Sequence, residues 1–152
     1  MKIGLAADHG GFELKNQIAR WLEEAGFEVA DFGAHQYDAQ DDYPDFVHPL
    51  AKAVAKGEAE RGIAVCGSGV GAAIVANKTV GVRAALITET YSARQGVEHD
   101  DMNLLCLGGR VIGAELAREL VFAFAKARYS GEARHDRRLR KLQNIENSNN
   151  EQ

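Results

Sequence analysis

The sequence has no apolar segment long enough to cross a membrane. Its N-terminus, MKIGLAADHGG, holds only a five-residue apolar run before Asp8, which is too short for the core of a signal peptide. No other stretch approaches the roughly 20 apolar residues of a spanning helix. We therefore expect a cytoplasmic protein that does not associate with membranes.

Cysteine is also scarce, and the chain has no excess of positive charge. Cys66 and Cys106 are the two cysteines in 152 residues, and each stands at or near the end of an apolar run, which favours reduced thiols over a disulfide. The formal net charge of -4 argues against a dedicated nucleic-acid-binding protein. His35 and His48 have no metal-ligand spacing to other histidines, cysteines or acidic residues, so we predict no structural metal.

The composition otherwise indicates one globular domain. Charged residues make up 26% and hydrophobic residues 45% of the chain, and its length suffices to bury one substantial core without disulfides or metals. We predict a single domain over residues 1–146 and a frayed polar tail over residues 147–152.

Apolar periodicity predicts alternating strands and helices. The predicted strands span residues 2–7, 27–31, 62–66, 82–88 and 103–107, and the predicted helices span 12–25, 44–54, 72–76, 91–98, 116–127 and 134–145. Repeated strand-helix units imply right-handed crossovers with helices on both faces of a sheet. We predict a three-layer α/β/α Rossmann-like sandwich with a five-stranded parallel sheet and an extra C-terminal helix.

The segment GIAVCGSGVGAAIVANK, residues 62–78, combines a buried strand, a thiol and a glycine-rich turn. Cys66 ends the strand, and alternating glycines leave backbone amides free at the start of the next helix, where they can hold an anion or a developing oxyanion. Thiolates are favoured at such helix starts. A cysteine that ends an apolar strand is also often only a small buried hydrophobe, so both interpretations stay open here.

Reactive side chains gather at the predicted carboxyl ends of the strands, where ligands bind in open parallel sheets. They are Asp8 and His9 after the first strand, Cys66 and Ser68 after the third, Glu89 after the fourth, His99 and Asp100 in the loop before the fifth, and Arg110 after it. This set suggests proton transfer on an anionic small molecule. Asp8 could equally be the N-cap of the first helix, and the histidines could form loop hydrogen bonds.

The glycine-rich turn also fits a nucleotide-binding pattern. GSGVGA matches G-x-G-x-x-G/A, and Glu89 follows about 20 residues later, where such folds hold a ribose. The pattern here follows the third strand instead of the first, a thiol precedes it, and the chain has no room for a second domain. No Lys-Ser/Thr pair follows the glycines, which excludes a P-loop, and no arginine stands six positions after Cys66, which excludes a cysteine-phosphatase loop.

The segment RHDRRLRK, residues 134–141, concentrates positive charge in an otherwise acidic chain. It predicts either a solvated helix or a phosphate clamp. Arg134 and Arg138 stand four positions apart on one helix face, and their guanidinium groups suit phosphate oxygens.

Five blocks together carry a family resemblance: AADHGGFELK, DYP, CGSGVGAAIVANK, EHDDMNLLCLGGRVIG and RHDRR. In this order, from about Lys2 to Ile145, they resemble type B ribose-5-phosphate isomerase and relatives such as galactose-6-phosphate isomerase. The resemblance implies a cofactor-independent aldose-ketose isomerase that works through a cis-enediol and binds its sugar phosphate at the subunit interface of a homodimer or tetramer. It implies that no metal and no organic cofactor is used.

The resemblance also implies a role for each matching residue. Cys66 matches the enediol-forming base, Ser68 its hydroxyl neighbour and His99 the residue that opens the sugar ring. The anion hole would comprise Gly67, Gly69, Val70 and Gly71, the other substrate contacts Asp8, His9, Tyr43 and Asp100, and the phosphate-binding arginines Arg110, Arg134 and Arg138.

Two positions depart from the family pattern. Asp100 stands where the family usually has asparagine, which adds negative charge beside an anionic substrate, and Ser68 replaces a common threonine but keeps the hydroxyl. We predict ribose 5-phosphate and ribulose 5-phosphate as substrates. The alternatives are a tetrose or hexose phosphate on the same mechanism, or a nucleotide-binding module that uses GSGVGA.

Overall fold

Five strands and six helices alternate along residues 1–151, the part of the chain that the computed structural model describes. The strands are β1 (Lys2–Ala7), β2 (Glu28–Asp31), β3 (Arg61–Cys66), β4 (Ala84–Leu86) and β5 (Leu104–Gly108). The helices are α1 (Phe12–Glu24), α2 (Pro44–Ala55), α3 (Val70–Ala76), α4 (Thr90–Asp100), α5 (Ala114–Lys126) and α6 (Ala133–Asn150).

The strands form one parallel sheet in the order β2-β1-β3-β5-β4. The register pairs Leu5 with Ile63 and Ile63 with Leu105, so the three central strands run side by side. Their carboxyl ends therefore meet at one edge of the sheet, which is where parallel α/β sheets bind ligands. The predicted α/β sandwich with a five-stranded parallel sheet is confirmed.

Side chains alternate between two cores because successive residues of a strand point to opposite faces. Ile63 and Val65 of β3 pack in the core beneath α1, α4 and α5. Ala64 and Cys66 pack in the other core, beneath α2 and α3. This alternation gives the three layers and turns Cys66 toward the face that carries the glycine-rich turn.

A buried arginine ties the end of α5 to the sheet. Arg61 is only 9% exposed, and its guanidinium donates hydrogen bonds to the main-chain carbonyls of Phe124, Ala125 and Ala127. The last carbonyls of a helix have no partner within the helix. Arg61 supplies that partner from β3, which joins the α5 terminus to the strand that ends in Cys66.

Most element boundaries shift by one or two residues from the sequence-based prediction, and three of the differences change an interpretation. β4 is shorter than residues 82–88 because it is an edge strand that pairs only with β5. α4 continues through Asp100, so His99 and Asp100 lie on its last turn and not in a loop. α6 continues to Asn150, so residues 147–150 are helical and the prediction of a frayed tail there was wrong.

A contact explains part of the helical tail: the main-chain N–H of Gly81 donates to Oε1 of Glu146 at 3.1 Å. The predicted domain boundary at residue 146 falls inside this helix and stays a prediction.

Within residues 1–151, every helix is too short or too polar to cross a membrane.

Candidate active site

Cys66 lies at the carboxyl end of β3 with its side chain almost buried, at 4% exposure. The main-chain N–H of Gly69 donates a hydrogen bond to its Sγ at 3.1 Å. This N–H is placed to hydrogen-bond the sulfur of Cys66. Cys106 lies one strand away in the same core and is fully buried, and burial raises the pKa of its thiol. The prediction that Cys106 is a core residue is confirmed.

The turn after Cys66 requires glycine at two positions for different reasons. Gly69 has φ 81°, in the left-handed region, and a Cβ there would lie 2.9 Å from the carbonyl carbon of Leu107. A Cβ on Gly71 would lie 2.6 Å from Cζ of Tyr43. The turn is therefore packed directly against β5 on one side and against the tyrosine that precedes α2 on the other.

Two hydrogen bonds extend the pairing of β3 and β5 past the strand ends. The N–H of Gly109 donates to the carbonyl of Cys66 at 2.8 Å, and the N–H of Arg110 donates to the carbonyl of Gly67 at 3.0 Å. The backbone of Arg110 is thereby fixed relative to the thiol-bearing residue.

An open cavity of about 620 Å³ lies above Cys66, within the size range of small-molecule sites. The predicted site residues that line it are Asp8, Tyr43, Cys66, Gly67, Ser68, Val70, Gly71 and Arg110. Ile74 and Val111 complete the wall and are 56% and 63% exposed. Sequence reasoning missed both, because an isolated apolar side chain predicts burial in the core and carries no chemical signal of a site.

Asp8 is a buried carboxylate at the rim of β1, 6% exposed. Its Oδ1 accepts the N–H of Gly10 at 2.9 Å. The N-cap of α1 is Gly11, which makes no side-chain capping bond. The alternative prediction that Asp8 caps α1 is therefore wrong, because the turn it forms ends before the helix begins.

His9 follows Asp8 and lines an adjoining cavity whose wall also includes Arg110. Asp41 contacts it twice through one oxygen: Oδ1 accepts the main-chain N–H of His9 at 2.9 Å and lies 2.7 Å from its Nδ1. The hydrogen bond with Asp41 raises the pKa of His9, and the charge of Asp8 acts in the same direction. Asp41 was missed because nothing in its aspartate-rich loop distinguishes it from its neighbours.

Asp8, His9 and Asp41 also form the one group in residues 1–151 whose ligand atoms lie close enough together, within 4.8 Å, to hold a metal ion. The hydrogen bond between His9 and Asp41 accounts for that proximity, and an ion bound through Nδ1 would have to break it. The prediction that no metal is used stays a prediction.

Six predicted site residues do not line the cavity over Cys66. Gly69 lies in the turn that hydrogen-bonds Cys66 and His9 lines the adjoining cavity, whereas the other four lie elsewhere: His99, Asp100, Arg134 and Arg138. Nδ1 of His99 lies 2.9 Å from Nε2 of Gln95, and its ring stacks on that of His135 with the centroids 4.1 Å apart. Arg134 and Arg138 lie exposed on α6. One chain therefore brings together the thiol, the glycine-rich turn and Arg110, and leaves the second histidine and two arginines elsewhere.

His135 was missed by the sequence reasoning although it stands inside the RHDRR block. It is 1% exposed, and its Nδ1 lies 2.6 Å from Oγ of Ser130. Burial lowers its pKa, and the neighbouring His99 and Arg134 lower it further. A neutral His135 is thus stacked beneath the predicted ring-opening residue.

Glu89 does not line the cavity over Cys66. It is the N-cap of α4, where its carboxylate oxygens accept the N–H of Ser92 at 3.1 and 3.0 Å. These hydrogen bonds lower the pKa of Glu89. Since its carboxylate is engaged at a helix start, the feature that favoured a ribose-binding role is explained by capping.

Several known proteins resemble this chain in sequence over nearly its whole length. Residues 3–142 match the family described as Ribose/Galactose Isomerase. Ribose-5-phosphate isomerase B of Escherichia coli is 44% identical over 149 residues, which cover 98% of this chain and 99% of that protein. D-erythrulose-4-phosphate isomerase of Pectobacterium atrosepticum is 39% identical over 131 residues, 86% of each chain.

A solved structure extends the comparison to three dimensions. The crystal structure of ribose-5-phosphate isomerase B from Mycoplasma genitalium with bound ribulose 5-phosphate matches with a TM-score of 0.91 and 39% identity over 96% of each chain. Sequence and fold agree over nearly the full length of both chains. The chain belongs to the ribose/galactose isomerase family.

Proposed function

We propose that this protein interconverts ribose 5-phosphate and ribulose 5-phosphate, with Cys66 as the base. The observation that carries the proposal is the thiol at the end of β3, almost buried and hydrogen-bonded by the N–H of Gly69 at 3.1 Å. A free thiol is only a few per cent ionised at pH 7. The amide of Gly69 is the donor that stabilises the thiolate needed for proton abstraction.

The reaction moves two protons within the open-chain sugar. The Cys66 thiolate removes the proton from C2 of the aldose, and the electrons of that C–H bond form the C1–C2 double bond while the carbonyl bond electrons pass to O1. The amides between Gly67 and Gly71 stabilise the resulting enediolate. Ser68, which lines the same cavity, passes the O2 proton to O1. The thiol then returns its proton to C1, which gives the ketose.

Phosphate binding in this proposal draws on two copies of the chain. Arg110 stands on the rim beside the cavity over Cys66, and its guanidinium suits a phosphate. His99, Arg134 and Arg138 lie outside that cavity in their own chain, so we infer that they complete the site of a second subunit. His99 then opens the sugar ring, and Asp8, His9, Tyr43 and Asp100 contact the sugar phosphate.

The exposed apolar rim supports this assembly. Val70, Ile74 and Val111 are 49%, 56% and 63% exposed around the cavity, and burying them against a second subunit removes apolar surface from water. A homodimer with sites at its interface is the smallest assembly that joins both residue groups, and two such dimers would form a tetramer.

Hydrogen exchange tests the role of Cys66. Incubated with ribose 5-phosphate in heavy water, the wild-type protein should incorporate deuterium at the carbon next to the carbonyl. Cys66→Ala should abolish both exchange and isomerisation but leave inorganic phosphate affinity nearly intact, and Cys66→Ser should be almost as inactive because a hydroxyl is far harder to ionise. The matched control is Cys106→Ala, which removes the other thiol and should retain exchange.

Exchange in Cys66→Ala at a rate comparable to the wild type would assign the base to another residue.

A panel of four- to six-carbon sugar phosphates tests the identity of the substrate. Faster conversion of a tetrose or hexose phosphate than of ribose 5-phosphate would replace the substrate but keep the mechanism.

A further inference from the structure

Asp41 is a carboxylate with only one neighbouring group that balances its charge. Its side chain is 9% exposed, and within residues 1–151 its Oδ2 is buried without a hydrogen-bond partner. Its Oδ1 interacts only with His9, at the main-chain N–H and at Nδ1. A buried carboxylate is costly unless it is paired and hydrogen-bonded, so the ring of His9 is the group that compensates Asp41.

The same contacts fix the orientation of the imidazole. Two hydrogen bonds to one oxygen hold the backbone and the ring of His9 together, and the ring of Tyr37 packs against it edge-on, with the centroids 6.3 Å apart and the planes at 89°. Because Nδ1 is occupied by Asp41, Nε2 is the nitrogen left to bind a ligand. His9 and Arg110 line the same cavity, so the imidazole and the guanidinium belong to residues of the same rim.

We propose that Asp41 is a positioning residue for substrate binding: it holds Nδ1 of His9 protonated and keeps the ring an imidazolium, whose Nε2–H binds the substrate phosphate beside Arg110. The identity of the ligand rests on the function proposed above. An imidazolium forms a charge-assisted hydrogen bond with a phosphate oxygen, which is roughly twice as strong as the neutral bond that an uncharged ring would make.

Among the groups around His9, Asp41 has the largest effect on the protonation of the His9 ring. Asp8 precedes it in the chain and favours the charged ring, whereas burial and Arg110 on the rim after β5 oppose it. Glu13 of α1 lies on the same cavity wall. The hydrogen bond with Asp41 has the largest effect among these on the pKa of His9, so removing the charge of Asp41 alone should return the ring toward neutrality.

Titration of the free protein tests the proposal without any need for catalysis. Nitrogen-15 NMR of labelled histidine reports the charge and the tautomer of each ring, and His9→Gln identifies the His9 signals. In the wild type, His9 should titrate above the value of about 6.5 of a free imidazole and keep Nδ1 protonated after losing its charge. Asp41→Asn should lower the pKa toward about 6.5 but keep that tautomer, because the amide oxygen still accepts.

Asp41→Ala removes the hydrogen-bond acceptor, so the neutral His9 ring should also lose its preference for the tautomer protonated at Nδ1. The matched control is Asp38→Asn, which removes one charge from the same exposed loop and keeps the bond from Gln40 N–H. It should leave the His9 titration unchanged. An unshifted His9 pKa in Asp41→Asn would overturn the proposal.

Binding of inorganic phosphate tests the consequence. Asp41→Asn should weaken phosphate binding about fivefold at a pH between the two measured His9 pKa values, where only the wild-type ring is charged, and less than about twofold at a pH below both, where both rings are charged. For ribose 5-phosphate the same pattern should appear in KM with kcat nearly constant. In a His9→Gln background the effect of Asp41→Asn should vanish, since Asp41 acts only through the ring.

Two results separate this role from the proposed function. An equal loss of phosphate affinity at both pH values, or in the His9→Gln background, would show that Asp41 only shapes the loop, and would overturn the proposal. Absence of isomerase activity on every sugar phosphate, together with the expected His9 titration and phosphate binding, would overturn the proposed function and leave the role of Asp41 supported.

Discussion

Two side chains of opposite charge set the electrostatics of the substrate site that we propose. Arg138 lies exposed on the face of α6 that also carries Arg134, whereas Asp100 is an exposed acid on the last turn of α4. Each acts on a phosphorylated ligand only if the second subunit brings it to the cavity over Cys66. Their substitution therefore tests the interface and the charge balance together.

Arg138→Ala should weaken binding of ribose 5-phosphate roughly 10- to 100-fold, the loss expected for a charge-assisted hydrogen bond. Binding of unphosphorylated ribose should change much less. Isothermal titration with the Cys66→Ala protein measures both ligands without turnover. Arg137→Ala removes the adjacent exposed charge on another face of α6 and serves as the control. An equal loss for both ligands would mean that Arg138 supports the helix and not the phosphate.

Asp100→Asn should raise kcat/KM for ribose 5-phosphate by up to about fivefold. It removes a charge of the same sign as the substrate phosphate, and an interaction between exposed charges is typically worth up to about 1 kcal/mol. The gain should be largest at low salt, since exposed charges are screened by ions. Relative rates measured across the sugar-phosphate panel should move toward the five-carbon substrate. Identical relative rates in the variant and the wild type would show that Asp100 points away from the ligand.

Among the secondary-structure elements, β3 contributes both to the stability of the fold and to the proposed active site. It begins with Arg61, which holds the end of α5, and it ends with Cys66. Both ends are needed for the site, because the strand can present the thiol only if its register against β1 and β5 is kept.

Arg61→Met should lower the free energy of unfolding by about 2–3 kcal/mol, since it leaves the carbonyls of Phe124, Ala125 and Ala127 without their donor. Urea denaturation should show a lower midpoint with an unchanged m-value. Arg128→Met, an exposed arginine close by, should change stability by less than about 0.5 kcal/mol. A midpoint equal to that of the wild type would mean that water replaces the guanidinium.

The sequence predicts these elements well where local signals agree. The apolar run that ends in Cys66 and the glycines after it define β3 and the turn, because a buried strand and a left-handed glycine each leave a local pattern. The pairing of His9 with Asp41 has no such pattern, since it joins positions 32 residues apart. The positions of His99 and Arg138 relative to Cys66 depend on assembly, which periodicity along one chain does not encode.

For the protein as an assembly, the two groups of site residues predict complementation between inactive variants. Cys66→Ala and His99→Gln should each abolish activity alone. Mixing them after reversible dissociation should restore about a quarter of wild-type activity, because half of the dimers are mixed and each mixed dimer has one intact site. Activity of the refolded mixture measures this directly. A mixture as inactive as its components would place Cys66 and His99 in the same chain's site.

The two hydrogen bonds that join Cys66 to Gly109 and Gly67 to Arg110, 2.8 and 3.0 Å long, make the thiol and the arginine backbone parts of one rigid frame. If one end of the sugar is held near this arginine and the other reacts at the thiol, a substrate one carbon longer or shorter displaces its reacting carbon by more than about 1 Å, and such a misplacement can cost about 100-fold in rate. Selection among sugar phosphates by chain length then follows from main-chain geometry, on which a charge such as that of Asp100 has only a secondary effect.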